Sequence, residues 1–200
     1  MKTPYSFARW AVVAATVVGA SAPAAAQTTV YEFGQLLSGN GAPTDLSFAT
    51  LSATVSGDNV LFTLDAYGLD QFDGTQPFLG ALAVDGDKVG SVTDVVGDAP
   101  VSLVNGGGPG GGWEFRFDFT DGRERLLDDE VVSWTWLGGA GHFSSFAAHV
   151  QGINYLDGGT TSAWYTTAQA VPEPATYAMF LAGMALLGMS AKRRRAQIRG

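Results

Sequence analysis

The stretch Trp113-Glu114-Phe115-Arg116-Phe117-Asp118-Phe119 alternates aromatic and charged residues at every position. Successive side chains of a β-strand point to opposite faces of a sheet. The aromatic residues are therefore expected on one face and the charged residues on the other. A period of two rather than 3.6 residues predicts a strand that is half buried in a hydrophobic core.

The same alternation recurs along the middle of the chain and predicts nine to ten strands. The candidate segments are 29–37, 45–55, 60–68, 77–84, 88–96, 101–104, 113–120, 130–137, 143–152 and 161–168. Gly57-Asp58-Asn59 and Asp85-Gly86-Asp87 are expected to be hairpin turns, because Gly and Asp favour tight turns between strands. With no helical segment between them, these strands predict an all-β fold, an antiparallel β-sandwich.

The N-terminus has the pattern of a secretory signal. Lys2 and Arg9 precede an apolar stretch at 10–20, and Ala24-Ala25-Ala26 supplies the small residues that a signal peptidase recognises. We expect residues 1–26 to be a signal peptide, with cleavage between Ala26 and Gln27. The protein is therefore expected to be exported.

The C-terminus combines a proline-containing motif, an apolar run and a basic cluster, in that order. Val171-Pro172-Glu173-Pro174 is followed by an uncharged apolar run at 175–191, and then by Lys192-Arg193-Arg194-Arg195. As a helix, the 17-residue run would be about 25 Å long, near the lower limit for crossing a hydrocarbon core of about 30 Å. The basic cluster should stop transfer and stay cytoplasmic. Residues 171–200 are thus predicted to anchor a precursor in the inner membrane, with its ectodomain outside the cytoplasm.

The combination of Pro172-Glu173-Pro174, a short apolar helix and a terminal basic cluster resembles the PEP-CTERM sorting signal of Gram-negative bacteria. This resemblance implies processing near the tripeptide by an exosortase, a membrane-embedded protease. It also implies delivery to the cell surface or extracellular matrix, in bacteria that commonly export polysaccharide, so exopolysaccharide or biofilm is an expected partner. The segments 51–58, 78–84, 147–152 and 162–164 are similar to parts of PEP-CTERM-tagged exported proteins of unknown activity. No catalytic residue is assigned to those segments, so this resemblance supplies none.

Between the two signals lies one domain, residues 27–170, with an unusual charge. It holds 18 of the 19 acidic residues and four cations, and 4 − 18 gives a net charge of −14. Such a surface repels nucleic acid and acidic polymers, and a bound glycan is expected to be uncharged or cationic. The chain has no cysteine, so packing rather than disulfides must stabilise the exported domain.

Catalytic motifs are sparse in this sequence. His142 and His149 are its only histidines, and neither has a metal-ligand spacing; there is no Gly-x-Ser-x-Gly motif and no cysteine nucleophile. The Gly-rich stretch 106–112 is not followed by Lys-Ser/Thr or a helix, so we expect a flexible loop rather than a phosphate site. A non-enzymatic protein is predicted. A secreted hydrolase remains an alternative, because catalytic residues can converge from distant positions.

Acidic residues at predicted turns are the candidate metal ligands. Asp85, Asp87 and the run Asp128-Asp129-Glu130 offer the oxygen atoms that Ca²⁺ prefers. Asp-Gly pairs are also ordinary turn residues, and Asp87 is followed by Lys88 rather than by the rest of a calcium loop. Weak calcium binding is a hypothesis, and no other cofactor is expected.

The tryptophans support a second hypothesis about function. Trp113, Trp134 and Trp136 alternate with polar residues and share a face with other apolar side chains, which favours the core. Trp164 and Tyr165 lack large apolar neighbours on the same face of their predicted strand. An exposed tryptophan can stack on a sugar ring, so Trp164 is the candidate glycan contact and a carbohydrate-binding module is the alternative function.

Overall fold

The computed structural model describes residues 26–44, 46–121, 123–154 and 161–167, together with the backbone of 171–172. The strands of this described part are β1 (Gln27–Ser38), β2 (Ala49–Ser56), β3 (Asn59–Ala66), β4 (Gly74–Gly86), β5 (Ser91–Gly97), β6 (Ser102–Asn105), β7 (Phe115–Asp118), β8 (Glu130–Leu137), β9 (Phe143–Ile153), β10 (Ser162–Thr167) and β11 (Val171–Pro172). A single 3-10 turn, Leu69–Gln71, precedes β4. All ten predicted segments overlap an observed strand. Buried and exposed side chains alternate clearly in β3, β7 and β8, whereas residues 79–84 of β4 are all buried.

The strands form one continuous sheet in which all neighbours are antiparallel. Their order is β5-β8-β3-β2-β1-β10-β9-β4-β7-β6, with β11 beside β1. The predicted all-β, antiparallel class is confirmed, but the sandwich of two separate sheets is wrong. Instead the sheet curls until its edges approach, since Cα atoms of β5 and β6 come within 8 Å and only residues 98–101 connect these strands.

One predicted hairpin is confirmed and the other is wrong. Gly57 and Asp58 join β2 to β3, with Ser56 opposite Asn59 and Gly57 at a φ of 60°, which glycine adopts without strain. The segment 85–87 does not join two paired strands. There β4 continues to Gly86 and pairs with β7 and β9, whereas β5 pairs with β8 on the far side of the sheet. Turn residues mark where a strand ends but do not identify its partner.

Aromatic side chains fill the space inside the curled sheet. Phe115, Phe117 and Phe119 are fully buried, as their alternation predicts. The ring of Phe62 in β3 lies 5.7 Å from that of Phe117 in β7, although these strands are far apart in the sheet order. Opposite parts of one sheet therefore pack face to face around a single core.

Trp113 does not belong to this core, contrary to the prediction. Strand β7 begins only at Phe115, and Trp113 is half buried against Gly108 in the preceding Gly-rich loop. A Cβ atom on Gly108 would lie 2.2 Å from Cγ of Trp113, so only glycine allows this approach. The Gly-rich stretch joins β6 to β7 and folds back on the domain at this point.

The two buried tryptophans of β8 differ in their hydrogen bonding. Nε1 of Trp136 donates a hydrogen bond to the carbonyl oxygen of Val89, at 2.7 Å. Nε1 of Trp134 is buried and has no partner in the described part of the chain. Both side chains are fully buried, so their environments are otherwise similar.

We expect Trp136→Phe to destabilise the domain more than Trp134→Phe, by about 1–2 kcal/mol, although both remove the same atoms from the core. The first change deletes a hydrogen bond, whereas the second deletes a buried donor that lacks a partner. Urea unfolding of the two variants measures the difference. Equal losses, or a larger loss for Trp134→Phe, would contradict this account.

Candidate functional site

A cavity of about 230 Å³ opens on the outer face of the sheet, over β4, β7, β9 and β10. Gly80 and Ala81 of β4 contribute to the lining, and the carboxamide of Gln151 lies directly over Gly80, where a Cβ atom would come within 2.7 Å of Oε1 of Gln151. The rest of the lining is polar or aromatic and consists of Gly107, Arg116, Asp118, Thr120, His149, Gln151 and Trp164. These residues project outward because their neighbours along each strand, such as Phe117 and Val150, point into the core.

One wall of the cavity is a stacked pair of rings. Trp164 of β10 lies opposite His149 of β9, and their ring centroids are 4.2 Å apart with planes 2° from parallel. Trp164 is partly buried but does not belong to the buried core, as the sequence predicts. Tyr165, which the sequence grouped with Trp164, belongs instead to the core. It is fully buried, and its hydroxyl donates a hydrogen bond to the carbonyl of Pro43.

His149 is held neutral. Burial of its ring, and next the positive charge of Arg116, lower the pKa of His149 to about 4, while Asp118 opposes this shift. Nδ1 of His149 lies 3.1 Å from Nε2 of Gln151, so a hydrogen bond from Gln151 assigns the ring proton to Nε2. At neutral pH the stacked wall thus presents an uncharged ring with one N–H donor.

An ion pair also lines the cavity. Nε and Nη2 of Arg116 contact the two carboxylate oxygens of Asp118, at 2.5 and 3.1 Å. Nη1 of Arg116 also donates to the carbonyl of Gly106, at 3.2 Å, which ties the Gly-rich loop to β7. The two charges compensate each other, so the cavity has little net charge although the domain is strongly acidic.

The predicted calcium ligands Asp85 and Asp87 do not act together. Oδ2 of Asp85 accepts a hydrogen bond from Ser144 at 2.8 Å. The exposed carboxylate of Asp87 lies 3.5 Å from Nδ1 of His142. Each carboxylate therefore has a separate partner on the neighbouring part of β9 or the turn before it.

The other acidic run, residues 128–130, supports local backbone structure. Oδ1 of Asp128 accepts the N–H of Leu69 at 2.7 Å, and Oε2 of Glu130 accepts the N–H of Leu127 at 2.6 Å. Asp129 is exposed at a φ of 59°. Within the described residues, no three His, Asp or Glu side chains come together to hold a metal ion. Calcium binding stays a prediction.

The two ends of the predicted domain meet in the sheet. Val171 pairs with Val30 and Pro172 with Thr29, so β11 extends the ladder along β1. Ala26 is exposed and Gln27 begins β1, which places the predicted signal cleavage just before the first strand. The other residues of these signals lie outside the described part: Ala24, Glu173, Pro174, Lys192, Arg193, Arg194 and Arg195.

No helix within the described ranges is both long and apolar enough to span a membrane, and the predicted helix at 175–191 lies outside those ranges. The fold and the C-terminal sequence together define an all-β domain that carries a sorting signal. A family model described as the PEP-CTERM protein-sorting motif matches residues 170–195, so the predicted C-terminal sorting signal is confirmed. The motif implies export and processing by an exosortase. No match is found among curated proteins or among solved structures.

Proposed function

We propose that this exported protein acts at the cell surface or in the extracellular matrix without catalysing a reaction, and that it binds a glycan in the cavity beside Trp164. The observation that carries the proposal is the stacked Trp164–His149 pair at the edge of a polar cavity. Sugar rings have an apolar face that packs on an aromatic ring and hydroxyl groups that need hydrogen-bond partners. The cavity lining includes an aromatic ring, Trp164, beside groups that can form hydrogen bonds, and this combination supports the proposal.

The size and chemistry of the cavity support part of a polymer as its ligand. A volume of about 230 Å³ is below the 300–1,000 Å³ of pockets that enclose a drug-sized molecule. The cavity is open, so a longer chain can extend beyond it. Gln151 and Asp118 supply acceptors, and His149 supplies an N–H donor. Exopolysaccharide is the polymer that the sorting motif favours, since such signals occur in bacteria that export it.

The groups in the cavity favour binding over hydrolysis. Glycosidases commonly use two carboxyl groups, about 5 to 9.5 Å apart, on either side of the scissile bond. The described lining supplies one carboxylate, Asp118, and both of its oxygens are engaged by Arg116. The imidazole of His149 is stacked and hydrogen bonded instead of facing a nucleophile. Hydrolysis is therefore the alternative that the glycan-binding experiment below would reveal through shortened sugar products.

Trp164→Ala is expected to weaken glycan binding about tenfold or more, because aromatic anchors commonly dominate such contacts. Exported protein is applied to a panel of immobilised neutral and acidic polysaccharides, and retention and melting temperature are measured. Since Trp164 lies outside the core, the melting temperature should change little.

Tyr67→Ala is the matched control, because Tyr67 is an aromatic residue that is 39% exposed and does not line the cavity. This variant should bind as the parent does. Unchanged retention by Trp164→Ala would overturn the site, and the appearance of shortened sugar products would favour the hydrolase.

A further inference from the structure

Three of the domain's four cations, Arg116, Arg123 and Arg125, come from ten consecutive residues next to the cavity. Arg116 is already paired with Asp118. After β7 the chain turns back, because Asp121 and Glu124 exchange backbone hydrogen bonds of 3.1 Å. After this turn, Arg125 lies over Phe78 of β4.

Arg125 is fixed over the outer face of β4. The carbonyl of Leu126 accepts the N–H of Leu79 at 2.9 Å, and both leucines are fully buried. Their preceding residues, Arg125 and Phe78, therefore project outward together. Cζ of Arg125 lies 4.7 Å from the ring centroid of Phe78, a cation–π contact that restricts the guanidinium.

No carboxylate within the described residues comes within ion-pair distance of Arg125. This is unexpected in a domain with 18 acidic residues. A guanidinium has five N–H donors in a planar fork, and a ring contact leaves them available. The ligand that matches this fork is an anionic group with two oxygens, such as a carboxylate, sulfate or phosphate.

The register places Arg125 close enough to serve the same ligand as Trp164. Phe78 lies opposite Gln151, and Trp164 lies opposite His149, on the two sides of β9. Phe78 and Trp164 are offset by two residues along the strand direction and lie two strand spacings apart, because β9 runs between their strands. With about 3.3 Å per residue and about 4.8 Å per strand spacing, their backbones are about 12 Å apart. Gln151 lies between them and lines the cavity. A chain longer than a single sugar ring can therefore contact both sites.

We infer that Arg125 forms a second subsite, which binds an acidic substituent of the glycan whose ring stacks on Trp164. This inference rests on the proposed function. It revises the expectation that a bound glycan is uncharged or cationic. That expectation came from the net charge of −14 of the domain, which does not describe the local charge around Arg125. Acidic polymers are repelled elsewhere and accepted here, where no carboxylate of the described residues pairs with Arg125.

The test compares a polyuronate with its carboxyl-reduced form, which has the same backbone without the charge, and includes a sulfated neutral polymer. The exported parent protein should bind the polyuronate about tenfold more tightly than the reduced form. Arg125→Gln should remove that preference, and Arg125→Lys should restore only part of it, since lysine lacks the bidentate fork. Preference for the sulfated polymer alone would assign sulfate instead of carboxylate as the group.

Arg123→Gln is the matched control, because it makes the same charge change at a neighbouring exposed residue that does not lie on Phe78. It should keep the preference for the acidic polymer. Equal binding of acidic and neutral polymers by the parent, or an equal loss in both arginine variants, would overturn the Arg125 subsite. Failure of the parent to bind any of the polymers would instead overturn the proposed function.

Discussion

Replacing Pro172, Glu173 and Pro174 together with alanine is expected to keep the protein in the membrane fraction at its precursor length. Proline fixes φ near −65° and disfavours helix at the residue before it, so the sequence predicts an extended segment around Glu173. An alanine tripeptide could instead continue the predicted helix that follows and withdraw the segment from a protease. Cell fractionation and immunoblotting of the expressed protein measure both location and length.

The control for this variant is the replacement of Gln197, Ile198 and Arg199 with alanine. These residues also lie at the C-terminus but beyond the range 170–195 that matches the sorting motif. The control should be released and shortened like the parent. Normal release of the Pro172, Glu173 and Pro174 variant would show that the tripeptide is not what the exosortase recognises.

Phe62→Ala is expected to have the largest effect on folding. The ring of Phe62 contacts five other aromatic rings, those of Phe117, Trp134, Trp136, Phe143 and Phe146. Truncation of a buried phenylalanine to alanine typically costs about 3–5 kcal/mol, whereas a whole domain is commonly stable by about 5–15 kcal/mol. The variant should therefore be close to unfolded at 37 °C. Urea unfolding followed by tryptophan fluorescence measures the loss.

Phe62→Leu is the comparison that separates cavity formation from a loss of aromatic contacts. It keeps most of the apolar volume, so we expect a clearly smaller loss than for alanine. Equal losses for leucine and alanine would show that specific ring contacts dominate. A small loss for both would contradict the central position of Phe62 in the core.

The sequence predicts individual strands well because a period of two is a local property of each segment. In β8, for example, Val132, Trp134 and Trp136 are buried while the residues between them face outward, and the predicted bounds match those observed. Strand order depends on distant pairing, which alternation does not encode. The pairing of β5 with β8, and the single curled sheet, could therefore not be predicted from turn residues such as Gly86.

The same limit applies to the candidate site. Trp164 is found by its lack of apolar neighbours in sequence, but this criterion also selects Tyr165, whose core contacts Phe48 and Phe72 are far away along the chain. Alternation with phenylalanines predicts that Arg116 and Asp118 lie on the outer face. Their position beside His149 follows only from the order of β7, β4 and β9 in the sheet.

Because β11 lies next to the sorting motif, the position of exosortase cleavage affects the edge of the sheet. Pro172 still belongs to the sheet, and Glu173 is the next residue, so no spacer separates paired backbone from the motif. A cut after Pro172 keeps Thr29 and Val30 paired. A cut before Val171 removes β11 and leaves the backbone groups of that edge open, where a strand from another molecule can pair. The cleavage position therefore determines whether the mature protein is released with a closed edge or with one able to join its neighbours.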